Sequence, residues 1–399
     1  MKNKKGFLQG ALTGALVTLL GISLVSCGVL GYKNVVSREE ERKLSELDSL
    51  IESDYLGDVD EDALTEGLYK GYLEALGDPY SEYYDAEETA KFNENMSGEF
   101  SGIGVVMSQD QKSGLVTMVQ IYKESPAAKA GLKKGDILFQ VDGKDVSGKK
   151  LDEIVTEIKG EKGTEVKLTV LRGEEREKVT TSVIRDTIEV QTVEYEMMED
   201  QIGYLAVSEF DSVTYEQYQT ALKDLEAQGM KGLVIDLRNN PGGNLDIVCE
   251  MLDLILPKGL IVYTEDKDGE KQEYTSDADY DYDVPMTVLI NGNSASASEI
   301  FAGAVQDYGK ADIVGTTSYG KGVVQSVYAL KDGTCVKLTV AEYFTPKGRS
   351  INGKGITPDV EVEYEYNEEE PEADNQLERA VEVLKQKMYC LLYTSPSPR

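Results

Sequence analysis

Histidine is absent from the 399 residues, and only four cysteines occur. Without histidine the chain cannot build a Ser-His-Asp triad, a Cys-His dyad or a histidine-ligated zinc site. Any general base that takes a proton from a nucleophile must therefore be a lysine, aspartate, glutamate or tyrosine. Cys249, Cys335 and Cys390 show no CxxC spacing, so they indicate neither a metal site nor a disulfide framework.

Basic residues are also scarce, because 41 Lys and Arg face 73 Asp and Glu, which gives a formal net charge of −32. Nucleic-acid binding needs clustered Lys and Arg to neutralise phosphates, so a chain this acidic is a poor nucleic-acid binder. The length allows two or three domains of ordinary globular size, and the hydrophobic content of 40% is enough for a buried core.

The N-terminus predicts a membrane address. Lys2, Lys4 and Lys5 precede Gly6–Tyr32, which contains no charged residue and exceeds the roughly 20 residues that span a bilayer as a helix. Lysines on this side place the rest of the chain outside the cytoplasm. A cleaved signal peptide is the alternative. The sequence LVSC before Gly28 also resembles a bacterial lipoprotein cleavage box, which would attach a lipid to Cys27.

The remaining chain falls into segments of different periodicity. Leucines at helical spacing predict helices first, and alternating strands punctuated by glycine follow. Strands then alternate with helices, which predicts a largely parallel sheet. The predicted strands are 203–207, 232–237, 286–290 and 323–330, and the predicted helices are 214–228, 245–256 and 298–308. The predicted organisation is an anchor at 1–32, a helical segment at 33–97, a β-rich domain at 98–186, an α/β core at 187–364, and an acidic linker, last helix and unexplained tail at 365–399.

The β-rich segment carries a compact motif, SPAAKAGLKKGDIL at 125–138. A short helix of small residues would end at Gly131, because glycine suits the left-handed geometry of a helix end. A tight turn at Gly135 then leads into a strand. This combination resembles a PDZ domain, a module that binds peptide termini.

Upstream of that motif, Gly102, Ile103, Gly104 and Val105 form a glycine loop that enters a strand. Loops of this kind present backbone N–H groups to the terminal carboxylate of a peptide, while the strand edge pairs with the peptide backbone. The alternative is that the glycines only shape a bulge. With the second motif present, we predict carboxylate binding by these four residues.

The first candidate site in the α/β part is DLRNNPGG at 236–243, a buried strand that ends in a Pro-Gly turn. A type II turn would place Gly242 at the position of positive φ. We predict that the Gly243 N–H bonds back across this turn, which would leave the Gly242 N–H free as an oxyanion donor. An ordinary strand-to-helix turn is the alternative.

The second candidate is NSASASE at 293–299, before an apolar helix. The spacing of Ser296 and Glu299 is that of a capping box, and a plain helix cap would explain it. A serine at a helix start is also followed by an unpaired N–H, here that of Ala297, at the positive end of the helix dipole. The segment therefore allows a nucleophile with an adjacent oxyanion donor.

The third candidate is GKGVVQ at 320–325. It nearly matches a phosphate-binding Walker A loop, but Gly322 occupies the position of the magnesium-binding Ser or Thr, and a strand follows instead of a helix. Lys321 and Gln325 are four residues apart and would share one face of an extended strand. A lysine among glycine and apolar residues can lose its charge and accept a proton, although a surface lysine is the ordinary interpretation.

Together and in this order, the motifs DLRNNPGG, SASASE and GKGxxQ, with GKGITPD at 353–359, resemble the carboxyl-terminal processing peptidases of serine protease family S41. The resemblance implies a multidomain α+β protein with an N-terminal helical segment, a β-rich PDZ domain and an α/β core of the crotonase-like type. It implies a Ser296 nucleophile, a Lys321 general base, Gln325 to orient the lysine, and an oxyanion hole formed by Gly242 and Ala297. No metal or cofactor is implied.

The expected partners are protein or peptide C-termini as substrates and a membrane through the N-terminal anchor, whereas homo-oligomerisation stays open. Arg172 and Arg185 flank the end of the predicted PDZ domain, and we predict that they couple it to the core. Two alternatives remain. In the first, the protein is a non-catalytic, membrane-tethered PDZ scaffold in which Ser296 and Lys321 are held apart. In the second, the core has the crotonase-like fold but carries out acyl-CoA chemistry.

Overall fold

The structure, a computed structural model, describes residues 37–277, 284–370 and 373–394. The chain divides into two compact units, 1–68 and 69–399, so the division falls inside the predicted helical segment. The predicted anchor with Cys27 lies outside the described residues, as does the end of the tail. Among the described residues, no helix combines the length and the apolar character that crossing a membrane requires.

Helices dominate the described part of the first unit, as the leucine spacing predicts. Helix α1 (Arg38–Asp54) lies in this unit, and α2 (Glu61–Glu74) begins in it and ends in the second unit. At the start of α1, the Ser37 hydroxyl accepts the Glu39 N–H at 3.3 Å and the Ser37 N–H donates to a Glu40 carboxylate oxygen at 3.0 Å. These bonds satisfy N–H groups that a helix start leaves without partners.

Strand β1 (Glu82–Tyr84), helix α3 (Ala86–Ser97) and strand β2 (Glu99–Gly102) follow in the second unit. The Asp85 carboxylate accepts the Glu88 N–H at 2.8 Å, which caps α3. Gly98 ends the helix with a φ of 68°, a left-handed conformation that glycine adopts readily.

The predicted β-rich domain consists of β3 (Val105–Gln109), β4 (Val116–Ile121), α4 (Pro126–Lys129), β5 (Ile137–Val141), β6 (Lys144–Asp145), α5 (Leu151–Ile158), β7 (Glu165–Arg172), β8 (Glu177–Ile184) and β9 (Asp186–Glu189). It is an antiparallel sheet with the strand order β3-β4-β5-β7-β8, and β6 pairs with β5. Its core includes the fully buried side chains of Met118, Ile154 and Leu168. Strand β2 pairs with β9, so the chain enters and leaves the domain through one two-stranded ribbon.

The α/β core contains two sheets, and its element bounds are close to those predicted. They are β10 (Val193–Met197), β11 (Ile202–Val207), α6 (Thr214–Ala227), β12 (Gly232–Asp236), α7 (Leu245–Asp253), β13 (Gly259–Asp266), β14 (Lys271–Ser276), β15 (Met286–Ile290), α8 (Ala297–Tyr308), β16 (Ala311–Gly315), β17 (Val323–Ala329), β18 (Cys335–Phe344), β19 (Val360–Glu361) and α9 (Asn375–Thr394).

The first sheet of the core has the order β10-β11-β12-β15-β16-β19 and is parallel from β11 onward, as predicted. The second is antiparallel and has the order β1-β18-β13-β14, with β17 on β18. Through β1, a segment that precedes the β-rich domain in sequence becomes part of the core.

Helix α9 also belongs to the core, although we placed it beyond the boundary at 364. Its Ala380 and Leu384 are fully buried against the parallel sheet, together with Val234 and Leu289. The approach is close at Gly232, where an added Cβ would lie 3.1 Å from the Leu384 Cδ2 atom. Helix α9 therefore covers one face of the parallel sheet.

Candidate active site

Ser296 connects β15 to α8 in a strained conformation. Its φ of 53° and ψ of −112° lie outside the helical and extended regions. Strain of this kind persists only where surrounding contacts hold it, and it clusters at functional sites. The Ser296 N–H donates to the Glu299 Oε2 atom at 2.9 Å, and the Glu299 N–H donates to the Ser296 carbonyl oxygen at 2.8 Å. The first of these bonds is one half of the predicted capping pattern.

Ala297 is the first residue of α8, and within the described residues its N–H has no hydrogen-bond partner. It lies at the positive end of a 12-residue helix, directly after Ser296. An unpaired N–H in this position can bind a negatively charged oxygen. The predicted oxyanion donor is therefore available.

Gly242 lies against the same turn. An added Cβ would stand 2.8 Å from the Ser296 Cβ atom and 3.0 Å from the Ala297 nitrogen, so only glycine permits this approach. Its φ is 111°, which agrees with the predicted positive φ. However, its N–H donates to the Asn240 Oδ1 atom at 2.8 Å and is not free, contrary to the prediction. An oxyanion would have to compete with the Asn240 Oδ1 atom for this N–H.

The predicted turn bond from the Gly243 N–H to Asn240 does not form. The Asn240 carbonyl oxygen instead accepts the Ala295 N–H at 3.0 Å and the Ser298 hydroxyl at 2.9 Å. These bonds tie the glycine turn to the segment around Ser296. Gly243 lines the cavity that Ser296 also lines.

Lys321 lies in the loop before β17 and is half-buried. Its Nζ atom is 4.7 Å from the centre of the Tyr80 ring, and it forms no ion pair among the described residues. Burial lowers the pKa of Lys321 below its usual value, and the charge of Lys337 lowers it further. Glu82, among the nearby carboxylates, acts in the opposite direction. A lowered pKa favours the neutral amine, which is the form of lysine that accepts a proton.

Gln325 and Lys321 line the same cavity, but they do not lie on one face of a single strand as predicted. Strand β17 begins only at Val323, so Lys321 is not part of it, and the register shifts between Val324 and Gln325. The Gln325 amide donates to the Thr339 Oγ1 atom at 3.2 Å and makes no hydrogen bond to Lys321 in the described part of the chain. Its role in orienting the lysine stays a prediction.

A cavity of about 440 Å³ brings the predicted catalytic residues together. Its wall also includes side chains of α3 and β18, which are remote from Ser296 in sequence. Among the residues that line it are Ser296, Ala297, Lys321, Gln325, Gly243, Lys337, Tyr343, Phe92 and Met96.

Glu299 is a positioning residue that sequence analysis treated only as part of a helix cap. Its side chain is fully buried and accepts hydrogen bonds on both oxygens. Besides the Ser296 N–H, it binds the Ser318 hydroxyl at 2.5 Å, the Gly320 N–H at 2.7 Å and the Lys321 N–H at 2.8 Å. One carboxylate therefore holds the backbone of both Ser296 and Lys321.

Tyr343 makes a second connection between the same two residues, and no sequence signal indicated it. Its hydroxyl lies 3.0 Å from the Ser296 carbonyl oxygen and also contacts the Lys321 carbonyl oxygen. Its ring is fully buried, and burial raises the pKa of the phenol well above its usual value. The neutral hydroxyl therefore stays able to donate.

The predicted carboxylate-binding loop lies at an open sheet edge, because β3 pairs with β4 and with no other strand in the part of the chain that the structure describes. Gly104 has a φ of 77°, and an added Cβ would lie 2.4 Å from the Ser125 Cβ atom. Ile103 is buried in the domain core, Gly102 pairs in β2, and Val105 begins β3. An open edge after such a loop is the arrangement that accepts a peptide as an added strand.

Three family models match successive parts of the chain: "Activating protease CtpB N-terminal domain" at 30–89, "PDZ domain" at 117–172 and "Peptidase family S41" at 201–362. A "Probable CtpA-like serine protease" of Staphylococcus epidermidis is 38% identical over 351 residues, covering 87% of this chain and 70% of the relative. The chain belongs to peptidase family S41. It is a serine peptidase with a PDZ domain.

Further relatives agree with this assignment. A "Probable CtpA-like serine protease" of Staphylococcus aureus is 37% identical to the S41 peptidase over 352 residues, covering 88% of this chain and 70% of the relative. A putative S41 protease from Bacteroides fragilis has a TM-score of 0.52 at 16% identity and covers 90% of this chain and 100% of that one. The second likeness is one of fold, and it agrees with the predicted multidomain α+β class.

The two arginines predicted to couple the PDZ domain to the peptidase core bind within the PDZ domain instead. Arg172 donates to the Asp136 carboxylate at 2.6 and 2.8 Å and to the Gly131 carbonyl oxygen at 2.8 Å. Arg185 donates to the carbonyl oxygens of Ile158 at 2.7 Å and Glu157 at 3.1 Å, among others. Coupling by these residues stays a prediction that their contacts do not support.

Proposed function

We propose that this peptidase cleaves peptide bonds with a Ser296–Lys321 dyad and works outside the cytoplasm. The observation that carries the dyad is the shared cavity, in which a strained serine at a helix N-terminus lies with a lysine that has no ion pair among the described residues. Burial lowers the pKa of this lysine, which favours the neutral amine that a general base needs.

In the proposed mechanism, the C-terminus of a substrate binds the PDZ domain and an upstream stretch extends across the cavity. The neutral Lys321 amine takes the proton of the Ser296 hydroxyl, and the Oγ atom attacks the peptide carbonyl carbon. The oxyanion accepts the Ala297 N–H, with Gly242 as the second donor once Asn240 releases it.

Collapse of this intermediate breaks the peptide bond, and the Lys321 ammonium returns the proton to the leaving amine. A water molecule then gives its proton to Lys321 and attacks the acyl-enzyme ester. The acid product leaves, and Ser296 regains its proton from Lys321. Glu299 and Tyr343 contribute by holding the backbone at Ser296 and Lys321.

The dyad is tested with a serine-reactive phosphonate and mass spectrometry of the labelled peptide. We expect the label on Ser296, and Ser296→Ala should lose both the label and peptide hydrolysis while circular dichroism and C-terminal peptide binding persist. Ser298→Ala is the matched variant, because it removes a buried hydroxyl of the same segment and should keep the label on Ser296. An unlabelled wild type that binds peptides but never cleaves them would favour the PDZ scaffold.

The extracytoplasmic address rests on the charge pattern of the first residues, with three lysines before an uncharged segment. Protease added to intact spheroplasts should digest the peptidase without lysis. Metabolic labelling with a radioactive fatty acid separates the two anchors: Cys27→Ser abolishes incorporation if Cys27 carries a lipid, whereas an uncleaved anchor gives no incorporation in either protein. Full protection in intact spheroplasts would refute the address.

A further inference from the structure

A second lysine lies in the catalytic cavity. Lys337 is on β18, directly across from Glu82 in the pairing with β1. Its Nζ atom is 2.5 Å from the Glu82 Oε2 atom and 2.7 Å from the Tyr84 hydroxyl. The side chain is only 20% exposed, so its position is well defined by these contacts.

The charges that act on Lys321 come from several elements. Lys337 lies on β18, Glu82 on β1, Asp78 in the turn before β1, and Glu299 on α8. The Tyr80 ring lies under the amine, and Tyr343 holds the Lys321 carbonyl oxygen. Three carboxylates would normally keep a nearby lysine charged.

Each of these carboxylates is bound by other donors. Glu299 accepts four hydrogen bonds. Three come from the main-chain N–H groups of Ser296, Gly320 and Lys321, and the fourth comes from the Ser318 hydroxyl. Asp78 accepts the Ser81 hydroxyl at 2.5 Å and the Tyr80 N–H at 3.2 Å. Glu82 differs from both because its donors include a cation, Lys337.

We propose that Lys337 is a positioning residue that acts through Lys321: it neutralises Glu82 and places a second positive charge at the cavity, which keeps the amine of Lys321 uncharged. The proposal rests on the proposed role of Lys321 as the general base. Lys337 itself stays protonated, because its bonds to Glu82 and Tyr84 raise its pKa although burial opposes them. Two lysines in one cavity therefore have opposite charge states.

The test measures the protonation of Lys321 directly in the full chain carrying Ser296→Ala. Trace labelling with acetic anhydride at a series of pH values, read by mass spectrometry and normalised to an exposed lysine, gives the midpoint at which Lys321 becomes reactive. We expect Lys337→Gln to raise this midpoint by about one pH unit. Glu82→Gln should lower it, and Lys337→Arg, which keeps the charge, should leave it near the parent value.

Lys91→Gln is the matched control, because it also removes a lysine and leaves a carboxylate, Glu87, without its partner, but on the exposed surface. Its midpoint should equal the parent's. A Lys337→Gln midpoint that equals this control or falls below the parent overturns the proposal. If Lys337→Gln does not fold, Glu82→Gln decides, and an unchanged or raised midpoint overturns it.

This readout separates the two proposals, because it does not depend on hydrolysis. A parent protein in which Lys321 titrates at an ordinary lysine value contradicts the proposed base itself. A parent with a lowered midpoint that Lys337→Gln does not move contradicts only the role of Lys337. In active protein, the acid side of the pH–rate profile should move with the labelling midpoint.

Discussion

Two polar sites of the peptidase core both contain residues that follow β15, but the cations in the two sites have different partners. One is the proposed catalytic cavity, which is lined by Ser296 after β15. A cleft of about 680 Å³ is lined by Asp236 at the end of β12, Asn291 after β15, and Arg238. Both sites contain a half-buried or buried cation, so their difference lies in what surrounds it.

In the cleft, the cation is fully paired. Arg238 binds the Asp236 carboxylate and donates to both oxygens of Asp374, at 3.0 and 2.7 Å, and to Gln376 at 3.1 Å. These partners raise its pKa although burial opposes it. In the cavity, Lys321 has no such partner among the described residues. The saturated ionic network of the cleft joins elements of the fold, whereas the unpaired Lys321 amine is free to take the proton-transfer role proposed for it.

Replacing Lys321 with a permanently charged residue, such as the arginine of the cleft, should have the largest effect on activity. Lys321→Arg keeps the cation but removes the base, because arginine stays protonated at any working pH. We expect a loss of about 10²–10⁴ in turnover with the fold intact. The measurement is hydrolysis of a peptide with an apolar C-terminus across a pH series, with circular dichroism as control. A folded variant that keeps more than about a tenth of the activity would contradict the dyad.

Breaking the ion pairs of Arg238 in the cleft should lower the stability of the protein and not its catalytic rate. Arg238→Met leaves Asp236 and Asp374 without their cation, and we expect a loss of about 3–5 kcal/mol in the free energy of unfolding. Urea denaturation measures it. Arg379→Met breaks an exposed pair with Glu382 and should change stability by less than about 1 kcal/mol. Equal effects of the two substitutions would show that the cleft is not structural.

The substrate carries a charge of its own, the C-terminal carboxylate, which we expect the PDZ domain to bind. A substrate whose C-terminal carboxylate is blocked as an amide should be cleaved about tenfold more slowly if the loop at Gly102–Val105 binds that group. A second peptide, with an internal glutamate changed to glutamine and a free C-terminus, controls for the lost charge. Equal rates for acid and amide would remove the carboxylate from substrate selection.

Asp211 differs from both Arg238 and Lys321, because it is a buried carboxylate near another carboxylate, Glu209. Its substitution has the smallest expected effect of the four. Burial, and then Glu209, raise the pKa of Asp211 to about 6. Since the folded state holds this proton more tightly than the unfolded chain, the contribution to stability is present at low pH and is lost as pH rises from about 4 to about 6. Asp211→Asn should therefore stabilise the protein by about 1–2 kcal/mol at pH 8, as measured by urea denaturation. No gain at pH 8, or an equal gain at pH 3.5, would refute the shifted pKa.

Sequence reasoning predicted what short segments determine. Strand β15 was predicted at its observed bounds, Met286–Ile290, and β17 ends one residue earlier than predicted. Their apolar residues and flanking glycines determine strand position locally. The grouping of Ser296 with Lys321 followed from family motifs, and the cavity agrees with it.

Sequence reasoning failed where the answer depends on a side chain from elsewhere. The Gly242 N–H was expected to be free because the turn type was considered without the Asn240 amide that occupies it. The pair between Glu82 and Lys337 joins residues on both sides of the PDZ domain, and no local pattern indicates such a contact. Tyr343 was missed for the same reason, since it reaches Ser296 from β18.

The ribbon formed by β2 and β9 has a consequence for how such peptidases can diversify. The Gly98 carbonyl oxygen accepts the Val190 N–H at 2.7 Å, so the points where the chain leaves and rejoins the peptidase are neighbours. Domains whose ends meet in this way can be inserted, exchanged or removed with little change to the host. The PDZ domain is thus a unit that can be exchanged as a whole. Evolution can therefore change what this domain recognises without altering the path of the peptidase core.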